Sequence, residues 1–235
     1  MSQMEPIQRI RLVFTKGGPV QYVAHLALMR AWERIVRRAD LPIAYSQGFN
    51  PRPRLTFASA LPVGYTGRAE VMDVELTSVV TPQDLLLKLR PQLPAGFGLQ
   101  SAWDVPLRSA PLQALVRYSV YRAGLRAAEA PEVVQQALAR LLSSETAPWQ
   151  REVKGRRRDF DLRALIRDLW YIGETGGRHW VGMALVTDNT ASGRPGDVLE
   201  LLGWGDWQHV IERVRLVFDG ETLLEGALRE GTSEV

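Results

Sequence analysis

Residues 9–45, RIRLVFTKGGPVQYVAHLALMRAWERIVRRADLPIAY, decide the fold of this chain. Residues 9–14 predict a strand, and residues 24–39 predict an amphipathic helix. The apolar stripe of that helix consists of Leu26, Met29, Trp32, Ile35, Val36 and Ala39. Its opposite face carries Arg30, Arg34, Arg37 and Arg38. Residues 41–45 predict a second short strand, so the stretch as a whole indicates a strand–helix–strand unit.

The pattern continues beyond this stretch. Extended segments are predicted at 54–59 and 69–77, a helix opened by Thr81 and Pro82 at 81–93, and a strand at 98–105. The order β-α-β-β-α-β is that of a ferredoxin-like unit. Such a unit leaves one sheet face without helices of its own, and RNA-recognition modules bind through such a face. We therefore expect an α+β fold with a ferredoxin-like domain over residues 1–108.

A proline-bearing linker at 106–112 separates this domain from a second pattern of similar rhythm. Strands are predicted at 116–125, 179–187 and 214–218, and helices at 130–142, 162–170 and 195–202. A basic extended segment lies at 149–161, and residues 173–177 resemble a hairpin turn. These elements predict a second, related α+β domain over residues 109–235.

Composition excludes several classes of protein. The chain has 235 residues, 46% of them hydrophobic, without an apolar run long enough to span a membrane or an N-terminal signal peptide, so we expect a cytoplasmic protein. It contains no cysteine, which excludes disulfides, zinc–thiolate sites and clusters held by its own thiolates. The three histidines lack metal-site spacing. We expect no metal and no cofactor.

Charge is distributed unevenly along the chain. Residues 196–235 contain nine acidic residues and three arginines, which gives this section a charge of −6. Because the net charge of the chain is +3, residues 1–195 carry a charge of +9. Only three of the 29 basic residues are lysines. Arginine pairs with phosphate through two parallel hydrogen bonds and stacks on bases. The same preference also follows from a GC-rich genome or a hot habitat, and both interpretations stay open.

The segment SQGFNPRPR at 46–54 combines turn-forming residues with arginine and phenylalanine. Gly48 permits a positive φ, and Pro51 and Pro53 stiffen the backbone. We predict a pre-organised binding loop. Its candidate RNA-binding residues are Gln47, Phe49, Asn50, Arg52 and Arg54, together with the four arginines of the first helix. The alternative is a rigid connector whose Phe49 packs on a sheet.

The segment REVKGRRR at 151–158 is the most basic part of the chain. In one extended strand, Lys154, Arg156 and Arg158 would share a face. We take these three residues and Arg157 as further RNA-binding candidates, and Trp149 as a base-stacking candidate. The alternative is a solvated edge strand protected by charge.

His25 is the one weak catalytic candidate, since a histidine at a helix start can act as a general base or contact phosphate. The alternative is a hydrogen-bonded structural residue. Asp73 and Glu75 share one strand face, where they would either bind a divalent ion or balance nearby arginines. No phosphate-binding loop or nucleophile motif is present in the sequence.

Three segments resemble a known family. These are HLALMRAWERIVRRADLPIAYSQGFNPRPRLTFASALPVGY at 25–65, AEVMDVEL at 69–76 and REVKGRRRDFDLRALI at 151–166. They are similar to the radical SAM-linked protein family, bacterial domains of unknown function encoded beside, or fused to, a radical S-adenosylmethionine protein. The family usually has Ser-His-Leu-Asp before the first helix, where this chain has Ala24, His25, Leu26 and Ala27. The resemblance implies a radical SAM protein as partner and, from its usual gene neighbours, an RNA setting.

Three functions are consistent with these patterns. The first is a non-catalytic module that presents tRNA or rRNA to a separate radical SAM enzyme. The second is a docking or scaffold subunit of that enzyme without RNA contact. The third is a metal-independent ribonuclease or RNA modifier that uses His25. Without cysteines the chain cannot hold the radical enzyme's own cluster, so we expect a non-enzymatic role.

Overall fold

The computed structural model describes residues 5–126, 129–153, 155–188, 190–205, 209–220 and 229. The chain is an α+β protein that divides into two compact units, Met1–Leu115 and Val116–Val235. Part of the acidic C-terminal section, residues 206–208, 221–228 and 230–235, lies outside the described residues. None of the helices in the described ranges combines the length and the hydropathy that crossing a membrane requires.

Unit 1 follows the predicted order β-α-β-β-α-β. Its strands are β1 (Gln8–Lys16), β2 (Leu55–Phe57), β3 (Thr66–Leu76) and β4 (Phe97–Val105), and its helices are α1 (His25–Arg38), α2 (Pro82–Leu89) and the short α3 (Leu112–Leu115). Strand β1 pairs antiparallel with both β3 and β4, and β2 pairs antiparallel with β3. The spatial order within the unit is therefore β4-β1-β3-β2.

Helix α1 forms because its apolar residues recur every three or four positions and cover the sheet. Its buried residues are Leu28, Trp32, Ile35 and Val36. The Trp32 ring meets Phe14 of β1 edge-on, with ring centroids 4.9 Å apart. The prediction that Leu26 belongs to the buried stripe is wrong, because Leu26 is 69% exposed and Leu28 takes that place one turn before Trp32.

Residues 41–45 do not form the predicted strand. Only Ile43 and Tyr45 make isolated bridges, to Leu76 and Pro53 respectively. Pro42 has no N–H to donate, and its carbonyl accepts from the Thr77 N–H at 2.8 Å. A proline inside a run of five residues thus interrupts the ladder that the apolar pattern suggests.

Unit 2 contains the same arrangement with one insertion. Its strands are β5 (Val116–Leu125), β6 (Pro148–Val153), β7 (Arg156–Asp161), β8 (Ile166–Thr175), β9 (Arg178–Val186) and β10 (His209–Phe218), and its helices are α4 (Pro131–Ser143) and α5 (Pro195–Leu201). The antiparallel order is β10-β5-β9-β8. Without the β6–β7 hairpin, the element order and the strand order repeat those of unit 1.

The helix predicted at 162–170 is wrong. A single 3-10 turn at Arg163–Leu165 leads directly into strand β8. The ladder to β9 shifts register between Ile166 and Asp168. The shift lets Ile166 and Leu169, three positions apart, both be buried. An extra residue in a strand thus produces helix-like spacing of apolar positions.

Two tryptophans of unit 2 pack on glycines across strands. Trp170 lies opposite Gly182, and Trp180 lies opposite Gly124. A Cβ added at Gly182 would come within 1.9 Å of the Trp170 indole. A separate small apolar cluster forms around Trp170 with Val120, Ala184, Val214 and Val217.

Candidate nucleic-acid interface

The loop at 46–52 of unit 1 is a projection held together at its base. Tyr45 and Pro53 form a bridge. Next to it, the Ser46 N–H donates to the Arg52 carbonyl at 2.9 Å, and the Arg52 N–H donates to Ser46 Oγ at 3.1 Å. Gly48 has φ of 123°, which side-chain-bearing residues rarely adopt. The two arms of the loop are therefore fixed relative to the sheet.

Phe49 lies at the tip of this loop and is fully exposed, at 106% relative accessibility. Gln47, Asn50 and Arg52 are exposed beside it. The alternative in which Phe49 packs on a sheet is therefore wrong. Burying a phenylalanine is worth about 1.5–3 kcal/mol, so its exposure on an anchored loop favours a contact with another molecule.

Arg54 has a different environment from Arg52. Its Nε lies 2.8 Å from a Glu75 carboxylate oxygen, and Arg9 Nη2 lies 3.4 Å from the other oxygen of that carboxylate. Arg54 therefore fixes the loop to β3 and has less capacity to neutralise phosphate than Arg52.

The sheet face that carries these pairs is not the open platform that the topology suggested. Arg11 and Asp73 lie opposite each other on β1 and β3, next to Arg9 and Glu75. Arg11 donates two hydrogen bonds to Asp73, at 2.8 and 3.0 Å, and the two side chains are only 11% and 4% exposed. Arg9 also donates to the carbonyls of Leu107 and Ser109 in the linker. Asp73 and Glu75 balance arginines here, as in the non-metal alternative.

The remaining unit 1 candidates lie along α1. Its exposed face carries Arg30, Arg34, Arg37 and Arg38. The last two are in the final turn, where positive charge also complements the helix dipole. Helical spacing thus produces a row of guanidinium groups in unit 1, as predicted.

The basic segment of unit 2 is a hairpin and not the single extended strand that we predicted. Arg151 to Val153 end β6, and Arg156 begins β7. Gly155, with φ of 74°, forms the turn between them, because a two-residue hairpin turn requires positive φ. Arg156, Arg157 and Arg158 are exposed, and Arg157 lies opposite Glu152. Lys154 lies outside the described residues.

The same hairpin forms one wall of a groove that sequence reasoning missed. This open groove has a volume of about 1010 Å3 and is lined by residues from 146–152 and 159–161, together with Asp197 and Glu200 of α5. Trp149 was the only sequence signal for it. Its charged lining consists of Arg151 and five carboxylates, those of Glu152, Asp159, Asp161, Asp197 and Glu200. Such a lining repels phosphate, so an RNA strand has no place inside it.

Arg151 joins the hairpin to α5. Its Nε donates to Asp197 at 2.9 Å, its Nη2 donates to the same oxygen, and its Nη1 donates to the Ser192 carbonyl at 3.2 Å. The guanidinium also lies over the Phe160 ring, 4.8 Å from its centroid. Although Arg151 belongs to the basic segment, its guanidinium thus makes its contacts within the protein.

Two of the three histidines, His25 and His179, pack against aromatic side chains. His25 begins α1 and packs edge-on against Phe57, with centroids 5.7 Å apart. His179 is buried, with Nε2 2.9 Å from the Glu129 carbonyl and Nδ1 2.9 Å from the Tyr171 hydroxyl. Since a carbonyl only accepts, Nε2 carries the proton and Tyr171 donates to Nδ1. Burial, followed by the charges of Glu174 and Glu132, raises the pKa of Tyr171.

Within the described ranges, no group of three histidine, aspartate or glutamate side chains is arranged to hold a metal ion. The candidate interface is a charged and aromatic surface. It consists of two sets of residues: the loop and the α1 arginines in unit 1, and Arg156 to Arg158 in unit 2.

Comparison with known proteins places the chain in a family. No curated protein matches its sequence. Among solved structures, it is similar to a chain of the crystal structure of a Cbf5-Nop10-Gar1 complex, with a TM-score of 0.44 and 12% identity; the match covers 90% of this chain and about half, 49%, of the other. The model of the family DUF2344, described as an uncharacterised protein conserved in bacteria, matches residues 9–195. The chain belongs to that family.

Proposed function

We propose that this protein is a non-catalytic RNA-binding module that presents tRNA or rRNA to a separate radical SAM enzyme. The observation that carries the proposal is the anchored loop with Phe49 fully exposed at its tip and Arg52 exposed beside it. An exposed aromatic ring next to a guanidinium group is the pairing that stacks on an unpaired base and neutralises the adjoining phosphate.

The charge distribution supports the same proposal. The four arginines on the outer face of α1 are exposed, as are the three arginines of β7. Exposed arginines bind phosphate at little desolvation cost, whereas Arg11 and Arg151 are already paired with carboxylates. The number of exposed guanidinium groups thus favours a polyanionic ligand.

The antiparallel orders β4-β1-β3-β2 and β10-β5-β9-β8 support a ferredoxin-like assignment for each unit, the second with a hairpin inserted after its first helix. In this proposal RNA is bound by loops, a helix and a hairpin, because the central ion pairs occupy the helix-free face of unit 1.

The test is binding of a structured RNA across a salt series, measured by filter retention. For Phe49→Ala we expect a loss of about 1–3 kcal/mol with an unchanged salt slope, because stacking is lost while the charge stays. For Arg52→Ala we expect a higher Kd, and a plot of log affinity against log salt concentration that is shallower by about one unit, because one phosphate contact is lost.

Matched controls exist in unit 1. Leu87→Ala removes an exposed apolar side chain of α2, and Arg90→Ala removes an exposed arginine just after it. Both should bind as the wild type does. The proposal fails if the wild type binds RNA no better than a protein of similar size and charge, or if the control variants lose as much affinity as the loop variants.

A second candidate function, docking of the partner enzyme without RNA contact, is favoured by a different surface. Tyr22, Leu26 and Val63 are 70%, 69% and 55% exposed. Tyr22 ends the 3-10 turn Gly18–Tyr22, four residues before Leu26 in the first turn of α1, and the Gly64 N–H, next to Val63, donates to the Gln21 carbonyl at 3.0 Å. Exposed apolar patches of this kind are common at protein–protein interfaces.

A further inference from the structure

The groove between the β6–β7 hairpin and α5 has properties opposite to those of the candidate RNA surface. Its lining holds five carboxylates and one guanidinium, in a protein whose overall charge is positive. Its walls also contain two aromatic side chains, Trp149 and Phe160, both half-buried. An aromatic groove of negative potential attracts cations and excludes anions.

The environment of Arg151 shows which kind of side chain one side of the groove already holds. Its guanidinium is held by the Asp197 carboxylate, by the Ser192 carbonyl and by the face of Phe160. These are the three kinds of contact that recognise an arginine side chain: a charge-assisted hydrogen bond, a neutral acceptor and a cation–π contact. One side of the groove is thus a working arginine site that the chain occupies itself.

The rest of the lining offers the same kinds of group. Trp149 supplies an aromatic ring, and Glu152 and Glu200 supply carboxylates. Glu152 and Glu200 are exposed and form no side-chain ion pair within the part of the chain that the structure describes. Their charge is therefore available to a ligand, whereas the charge of Asp197 is used by Arg151.

We propose that this groove binds an arginine-rich peptide segment of a protein partner, with one ligand guanidinium beside Glu200 and against Trp149, on the hairpin face that also carries Arg151 and Phe160. The volume of about 1010 Å3 accommodates several side chains, which distinguishes a peptide from a single small cation. The proposal is independent of RNA binding, because the acidic lining and the exposed arginines are different residues.

The test uses the full chain and a fluorescein-labelled hexa-arginine peptide, measured by fluorescence anisotropy. We expect saturable binding that weakens with salt. The double variant Glu152→Gln/Glu200→Gln should lower affinity about fivefold, because two exposed carboxylates that attract the peptide are lost. Trp149→Phe should bind more weakly than the wild type, since a smaller ring gives a weaker cation–π contact.

The control variant Glu132→Gln/Glu174→Gln removes the same charge from two exposed positions of unit 2 outside the groove and should leave the Kd unchanged. The RNA-surface variant Arg156→Ala/Arg158→Ala should also retain the peptide. The proposal is overturned if the control loses as much affinity as the groove variant, or if the wild type does not bind the peptide. It is also overturned if spermidine displaces the peptide at an equal concentration of positive charge. Circular dichroism of each variant confirms that a loss reflects the site and not the fold.

Discussion

At the scale of single residues, Asp188 shows how one carboxylate orders the chain after β9. Its Oδ1 accepts from the Thr190 N–H and hydroxyl, both at 2.7 Å, and from the Ala191 N–H at 2.8 Å. The hydrogen bond from the Thr190 hydroxyl, followed by that from the Ala191 N–H, lowers the pKa of Asp188. The ionised form is therefore preferred in the folded state.

Asp188→Asn should destabilise the protein by about 1 kcal/mol at neutral pH, because the hydrogen bonds lose their charged acceptor. A lowered folded pKa gives stability that is complete above the unfolded pKa, about 3.9, and is lost as the pH falls through the folded value. The difference between variant and wild type should therefore vanish in acid. Urea unfolding at neutral and acidic pH measures it, with the exposed Glu145→Gln as control. An equal difference at both pH values would contradict this account.

The Trp170 indole lies against β9 at Gly182, in the position that a Cβ of residue 182 would occupy. This packing therefore depends on a single glycine. Gly182→Ala should cost about 2 kcal/mol, because the new methyl group would displace an indole in a packed cluster. The midpoint of urea unfolding reports the loss. In Gly205→Ala the nearest heavy atom to the new Cβ is 3.4 Å away, so that variant should be unchanged. Equal midpoints for the two variants would show that Trp170 moves aside freely.

At the scale of elements, the β6–β7 hairpin carries two opposite electrostatic surfaces. Its β7 strand exposes Arg156, Arg157 and Arg158, and Glu152 and Asp159 belong to the lining of the acidic groove. Arg151 fastens it to α5. A hairpin inserted into a repeated topology, and joined to α5 by the half-buried Arg151–Asp197 pair, is thus the element that distinguishes unit 2 from unit 1.

Replacing Arg156 and Arg158 by alanine should weaken RNA binding and make the salt slope shallower by about two units, because two phosphate contacts are lost. Filter binding over a salt series measures both quantities. The double variant Arg126→Ala/Arg167→Ala removes two other exposed arginines of unit 2 and should change neither. If both double variants change the slope alike, binding follows total charge and the hairpin has no special role.

At the scale of the whole molecule, charge is divided between a basic region, residues 1–195, and an acidic one, residues 196–235. In our proposals RNA binds the exposed arginines and a protein partner binds the acidic groove, whose carboxylates come from both regions, because a single uniform charge would attract only one class of ligand. Tyr22 and Leu26 are exposed uncharged side chains and form the candidate docking surface.

Affinity purification of the tagged protein from its own cells should recover a radical SAM protein, and Leu26→Asp should abolish the recovery if the apolar patch is the interface. Leu87→Asp, which places the same charge at an exposed position of α2, is the control and should retain the partner. Repeated purifications with mild crosslinking that recover no such enzyme would refute the partnership. Recovery with all variants would place the interface elsewhere.

Local spacing along the chain was sufficient to predict most elements of this protein. The order of unit 1, strand β5, the exposed arginine face of α1 and the projecting loop all follow from residues close in sequence. Periodicity and turn residues act over a few positions, and the sequence states them directly. The antiparallel repeat in unit 2 was also expected as a second unit of similar kind, although its strand order was not.

Only the tertiary structure decided which side chains meet. The register shift in β8 turned a predicted helix into a strand, and Gly155 turned a predicted strand into a hairpin. Arg54 was committed to Glu75, and Arg151 to Asp197, a residue 46 positions further along the chain. That last contact joins the two walls of the groove. Such pairings depend on how segments far apart in the sequence align in the fold. The free energy of that alignment is distributed over many residues, so local spacing in the sequence does not predict it.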